Sequence, residues 1–164
     1  MSQHLVAVID GTKARFLTLK PVEFEGYESG PNLVEHEGLH SVEKEMQGQD
    51  LWANVKTGRN RGGVGQAHSY DDHRQAHMIE FERRFAQSIS NRILDLIQAH
   101  EVRQLVLAAE PQILGLIREE LNGSLPSQVK LSELAKDLCR YSPRELHDYL
   151  AERKLLPAFQ SVVT

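Results

Sequence analysis

The residues with the clearest chemical character lie between Thr57 and His68, in the run Thr57-Gly58-Arg59-Asn60-Arg61-Gly62-Gly63-Val64-Gly65-Gln66-Ala67-His68. Four glycines and two arginines share these twelve residues with no carboxylate. Glycine admits positive φ and lets an anion approach bare backbone N–H groups. With Lys56, the run carries three cations in a stretch that holds no acidic residue between Asp50 and Asp71. Such a segment is an anion contact for phosphate or RNA, or else a plain mobile linker, and composition does not separate the two. On the anion reading the binding residues are Lys56, Arg59, Arg61, Gly62, Gly63, Gly65 and Gln66.

Three further constellations bear on chemistry. His68, His73 and His77 lie close in sequence to Asp71, Asp72 and Glu80. His73 and His77, four apart, share one face of a helix, a spacing zinc can use. The position after His73 is Arg74 rather than the glutamate of a metalloprotease helix, so the structural alternative is a solvated helix start. Asp10 ends an apolar run, where a carboxylate could serve a metal-dependent nuclease. Glu37, Glu110 and Asp137 are the companions it would need, whereas an aspartate before Gly11 also stabilises a turn by itself. Cys139 is the single cysteine, without a disulfide partner, and reads as a small core or boundary residue in a reducing compartment. The chain contains no phosphate-binding Walker loop, nucleophile elbow or dinucleotide fingerprint.

These residues must be positioned by a chain of 164 residues, 40% hydrophobic and 26% charged, enough for one domain with a real core. The expectation is a single domain spanning residues 1–164. A formal net charge of −4 excludes a protein that coats nucleic acid through its global field, so any RNA contact must be local. The apolar run at the start is too short for a signal sequence or membrane span. The expected setting is cytoplasmic, with no membrane partner and no cofactor.

Leu5 to Ile9 and Arg15 to Leu19, joined by Asp10-Gly11-Thr12, predict a hairpin. Asn32 to Ser41 predicts a third strand at the sheet edge. Glu43 to Val55, with Leu51, Trp52 and Val55, predicts a short turn packed on the domain. Met78, Phe81, Phe85, Ile89, Ile93 and Leu96 then recur at steps of three and four, which predicts a long helix capped by Asp71 or Asp72. Its polar face carries Glu82, Arg83, Gln87, Asn91 and Asp95. Arg103 to Ala109 reads as a central strand covered on both faces. Pro111 opens a helix along Ile113, Leu114, Leu116, Ile117 and Leu121 that Asn122-Gly123-Ser124 stops. Val129 to Leu131 predicts another strand, and Ser142-Pro143-Arg144-Glu145 a capping box before a last helix. The tail after Pro157 carries no signal. The fold class is α/β, a mixed sheet covered by helices.

Five blocks in this order carry a resemblance: Val8-Ile9-Asp10-Gly11-Thr12-Lys13-Ala14-Arg15-Phe16-Leu17; Thr57-Gly58-Arg59; Phe81-Glu82-Arg83-Arg84-Phe85-Ala86; Leu105 to Arg118 with Ala108-Ala109-Glu110-Pro111; and Lys136-Asp137-Leu138 with Ser142-Pro143-Arg144-Glu145-Leu146. Together they resemble the bacterial host attachment protein family over nearly the whole chain. That family is similar to the middle domain of archaeal and eukaryotic peptide-chain release factors, which implies a ribonuclease-H-like fold. The resemblance also implies a site, because a basic Gly-Gly-Gln loop precedes a long helix in release factors and its glutamine helps water attack peptidyl-tRNA. Here Val64 and Gly65 separate Gly62-Gly63 from Gln66, which displaces the glutamine from that geometry. The expectation is therefore a non-enzymatic protein that contacts the ribosome, rRNA or tRNA through the basic run. Peptidyl-tRNA hydrolysis with Gln66 as the catalytic residue is one alternative, and a protein-interaction module that affects attachment indirectly is another. The oligomeric state is not legible.

Overall fold

A computed structural model describes residues 3–24, 26–41 and 64–162, with the backbone alone described over 64–78. Five strands, β1 (His4–Ile9), β2 (Lys13–Lys20), β3 (Asn32–His40), β4 (Gln104–Ala108) and β5 (Lys130–Leu134), form one sheet in the order β3-β2-β1-β4-β5. Three helices, α1 (Val64–His100), α2 (Pro111–Leu121) and α3 (Pro143–Glu152), complete the fold. β1 pairs antiparallel with β2 and parallel with β4, β4 pairs parallel with β5, and β2 pairs antiparallel with β3. The mixed sheet with covering helices is the α/β class that the sequence predicts.

Side-chain alternation divides the core. Leu5, Ala7 and Ile9 of β1 join Phe16 and Leu105 on one face, where they meet Phe85, Ile89, Ile93 and Ile97 of α1 and Ile113, Leu114, Ile117 and Leu121 of α2. Val6 and Val8 point the other way, with Leu17, Leu19, Val106 and Ala108, onto Leu138, Cys139, Leu146, Leu150 and Leu156. A strand apolar on both faces needs cover on both, which β1 and β4 receive. The expected stripe of α1 is buried from Phe85 onward, and Arg83, Gln87, Asn91 and Asp95 are exposed as expected, while Glu82 is half-buried.

Local rules explain the boundaries. Asp10 Oδ1 accepts hydrogen bonds from the backbone N–H groups of Thr12 and Lys13, both at 2.8 Å, and Asp10 N–H donates to the Lys13 carbonyl at 3.0 Å. This Asx turn makes the hairpin. In α2, Pro111 occupies the first turn, where its missing N–H costs nothing, and Gly123 takes φ 81 just beyond the C-cap Asn122. The capping box of α3 is complete: Ser142 Oγ accepts from Glu145 N–H at 3.1 Å and Glu145 Oε1 accepts from Ser142 N–H at 3.0 Å.

Two expectations are corrected. α1 starts at Val64 rather than after a cap at Asp71 or Asp72. No proline interrupts Gln66-Ala67-His68, and an aspartate inside a helix costs only about 0.6 kcal/mol relative to alanine, so the carboxylates do not stop it. β5 runs on to Leu134 because Ser132 and Glu133 pair with Val106 and Leu107 of β4, and Glu133 takes Arg118 of α2 at 2.7 Å. The tail is anchored: Gly30 and Gln160 exchange backbone hydrogen bonds at 3.0 and 2.8 Å, and buried His147 lies 2.7 Å from the Pro157 carbonyl. The predicted turn over Glu43–Val55 lies outside the described residues.

β3 is the sheet edge, as expected, and it bulges. Ala14 pairs with Leu39 and Phe16 with His36, so Glu37 and Gly38 together oppose Arg15. A Cβ on Gly38 would stand 2.5 Å from the Ala14 carbonyl oxygen, a backbone atom that cannot swing aside. Gly38→Ala is expected to lower stability by about 1–3 kcal/mol, read as a drop in the urea midpoint at unchanged slope.

Candidate functional site

In open α/β sheets ligands bind beyond the carboxyl ends of the parallel strands. There Asp10, at the end of β1, meets Asp137 and Cys139 from the segment after β5, with their ligand-type atoms within 4.8 Å of one another. Asp10 is half-buried, Asp137 exposed and Cys139 buried. Asp137 Oδ1 accepts from Cys139 N–H at 2.9 Å, fixing the turn, and the thiol lies 3.5 Å from the Val8 carbonyl. Asp137 is thus the companion that Asp10 finds; Glu37 and Glu110 do not join this group among the described residues. Glu110 is the exposed N-cap of α2, and Glu37 stands exposed in the β3 bulge.

The electrostatics set what this group can do. Burial first, then the negative charges of Asp10 and Asp137, push the Cys139 thiol up to about 12, against the smaller opposing pull of Lys13 and Arg15. The thiolate is the nucleophile, so at neutral pH the free Cys139 thiol is not one. It is the small core residue that the sequence predicts. Asp10 Oδ1 already serves the hairpin turn.

Arg15 joins this corner to the sheet. Its position in β2, in step with Leu17 and Leu19, sends it to the α3 face. Nε and Nη2 donate to the two Glu35 carboxylate oxygens of β3, each at 2.8 Å, and Nη1 donates to the Cys139 carbonyl at 2.9 Å and the Tyr141 carbonyl at 2.6 Å. The rigid fork of guanidinium suits this task. The hydrogen bonds from Arg15 hold the Glu35 carboxyl below its ordinary range, and those to Glu35 raise the guanidinium. Arg15 lies in one of the resemblance blocks with no role implied for it there; its signal in the sequence is a cation at an inward-facing strand position.

Of the residues expected to bind nucleic acid, Lys56, Arg59, Arg61, Gly62 and Gly63 lie outside the described residues, while Gly65 and Gln66 fall in the first turn of α1. His73 and His77 follow on the same helix, and nothing is described of their side chains. The geometry therefore joins Asp10, Asp137 and Cys139, a set the spacing alone did not select. Further on, Tyr149 of α3 lies under two cations, Arg153 at 3.5 Å and Lys136 at 5.0 Å from its ring centroid, so this flank pairs charge with aromatic faces.

Two outcomes follow from this corner. Arg15→Met leaves the Cys139 and Tyr141 carbonyls without their donor and is expected to destabilise by about 2–3 kcal/mol, with Arg15→Lys recovering little, in chemical denaturation. Cys139 is expected to resist a thiol reagent at neutral pH in the native protein and to react fully once the chain is unfolded; fast native labelling would contradict the burial and charge argument.

The family model described as "Protein required for attachment to host cells" matches residues 5–150, from the first strand to the last helix. No curated protein matches the chain. The matched span takes in all five strands and both ends of the Asp10–Asp137 corner, and the chain belongs to this host attachment family.

Proposed function

We propose that this protein is a non-enzymatic, cytoplasmic, RNA- or ribosome-associated member of its family, making contact through Lys56, Arg59, Arg61 and the glycine-rich run that ends at His68. One observation carries the reading. Among the described residues α1 begins at Val64, inside the glycine-rich run and three positions after Arg61, and its first turn contains no acidic residue. The first N–H groups of a helix have no partner within it and form the positive end of its dipole. Cations supplied just before such an end favour phosphate, and nothing acidic in the first turn opposes it.

The length of α1 supports the same reading. Among its described side chains, the buried ones extend from Phe85 to Ile97. In a regular helix the 21 steps from Val64 to Phe85 rise about 30 Å. A helix of that length carries its first turn well beyond the Phe85–Ile97 contacts with the sheet. Release-factor kinship, with its ribonuclease-H-like fold, is part of this proposal, and the mixed sheet covered by helices accords with it. Gln66 in a helical first turn, two residues beyond its expected place after the paired glycines, favours contact over hydrolysis.

Ribosome co-sedimentation at low salt tests the proposal. Binding is expected to weaken as salt rises, and the combined Arg59→Ala and Arg61→Ala variant is expected to lose affinity and to reduce the salt slope by about one to two ionic contacts. Co-sedimentation unaffected by the double substitution would remove the run from the interface. Binding to a protein partner but not to ribosomal RNA would favour the interaction-module alternative.

A further inference from the structure

The edge strand β3 meets α1 through a cluster of basic groups outside the Asp10 corner. His36 of β3 lies with its Nε2 2.7 Å from Thr18 Oγ1 of β2. Thr18 is buried, so this contact satisfies a hydroxyl that water does not reach. On the α1 side, the His100 ring stands 5.1 Å from that of His36, centroid to centroid and tilted by 49°. Arg92, two helical turns before His100, acts on the same imidazole as a fixed positive charge. Among the described residues these are the groups facing His36 from β2 and α1. Glu35, its neighbour along β3, is turned to the other side of the strand and held by Arg15.

We propose that the junction of His36, His100 and Arg92 is an acid-triggered latch, in which mild acidification gathers like charges between β3 and α1 and loosens this edge strand from the domain. The His36 imidazole packs against the His100 ring, and Arg92 acts on it from the same helix. Protonating His36 sets a second positive charge near Arg92 and against the His100 ring, with no carboxylate among the facing groups named above. β3 is the element able to respond, because it is a sheet edge, hydrogen-bonded to β2 alone among the described strands, and it is already bulged at Glu37 and Gly38. β1 and β4, held on both sides and covered on both faces, are not loosened by the same event.

The sign agrees. Burial first, then His100 and Arg92, hold the His36 imidazole below its ordinary value. A histidine depressed in the folded state contributes stability that is present above the unfolded value, about 6.5, and lost as pH falls through the folded value. His4, also held low by burial against an opposing hydrogen bond with Gln104, adds a loss of the same sign at β1 and must be separated from the latch.

Amide exchange of the full chain, corrected for intrinsic rates and compared at about pH 7.5 and about pH 5, makes that separation. Protection in β3 is expected to fall by about threefold or more at the lower pH, beyond any fall in β1 and β4, where only the His4 loss acts. Arg92→Gln is expected to reduce the fall and to raise the midpoint of the His36 ring signal in an NMR titration. His36→Gln, whose amide can still reach Thr18, is expected to abolish the fall, and His4→Gln to leave it in place. A loss spread evenly over the sheet, or a His36 midpoint indifferent to Arg92→Gln, would overturn the latch. Should His36→Gln not fold, the Arg92→Gln titration decides alone.

Discussion

The structure depends on one constraint: β1 is apolar on both faces and hydrogen-bonded on both edges. All five residues from Leu5 to Ile9 are buried, so neither face can be left to water. One face requires α1 and α2, the other requires α3 and the segment around Leu138 and Cys139. Burial of each large aliphatic side chain stabilises by about 1.5–3 kcal/mol, and β1 is where both layers collect that term at once. The strand is also where polarity must return abruptly. Asp10 follows Ile9 and meets that demand by capping its own turn.

The Asp10 corner is a consequence of that placement. Once the chain after β5 crosses to the α3 face, Leu138 and Cys139 fill the space against Val8, and Asp137 is carried beside Asp10. Two carboxylates at one strand end would repel, and the arrangement tempers this with local use of each: Asp10 takes the hairpin N–H groups, Asp137 the Cys139 N–H. Arg15 then closes the corner, spending its fork on Glu35 and its remaining nitrogen on two carbonyls. The donor atoms identified there are engaged in holding β2, β3 and the segment before α3 together.

Much of this was legible in the chain, and the reasons are local. The hairpin, the buried β4, the proline-opened α2, the Ser142–Glu145 box and the core role of Cys139 all rest on neighbouring residues, whose preferences act over one turn or one strand. What escaped depends on distant partners. Asp137 stands 127 positions from Asp10, and no spacing announces that they meet. The length of β5 depends on its register with β4, and the anchored tail on Gly30 and His147. The onset of α1 differs from the sequence expectation for another reason. A favourable cap at Asp71 invites a boundary, but a cap residue does not terminate a helix whose preceding residues can continue it.

The division of charge follows from the same geometry. At the carboxyl ends of β1 and β5, acidic side chains and a protonated thiol face one another, and the nearest guanidinium is occupied by Glu35. An anionic ligand finds no open welcome there. The chain has a net charge of −4, so its whole surface does not draw polyanions either. Local concentration of cations is what remains, and the sequence places it at Lys56, Arg59 and Arg61, just ahead of the positive end of the longest helix. Arg15 and Arg118 are spent on Glu35 and Glu133 within the folded body, so on the proposed function the contact with an anionic partner would fall to the run, where no carboxylate lies between Asp50 and Asp71 to compete for its cations.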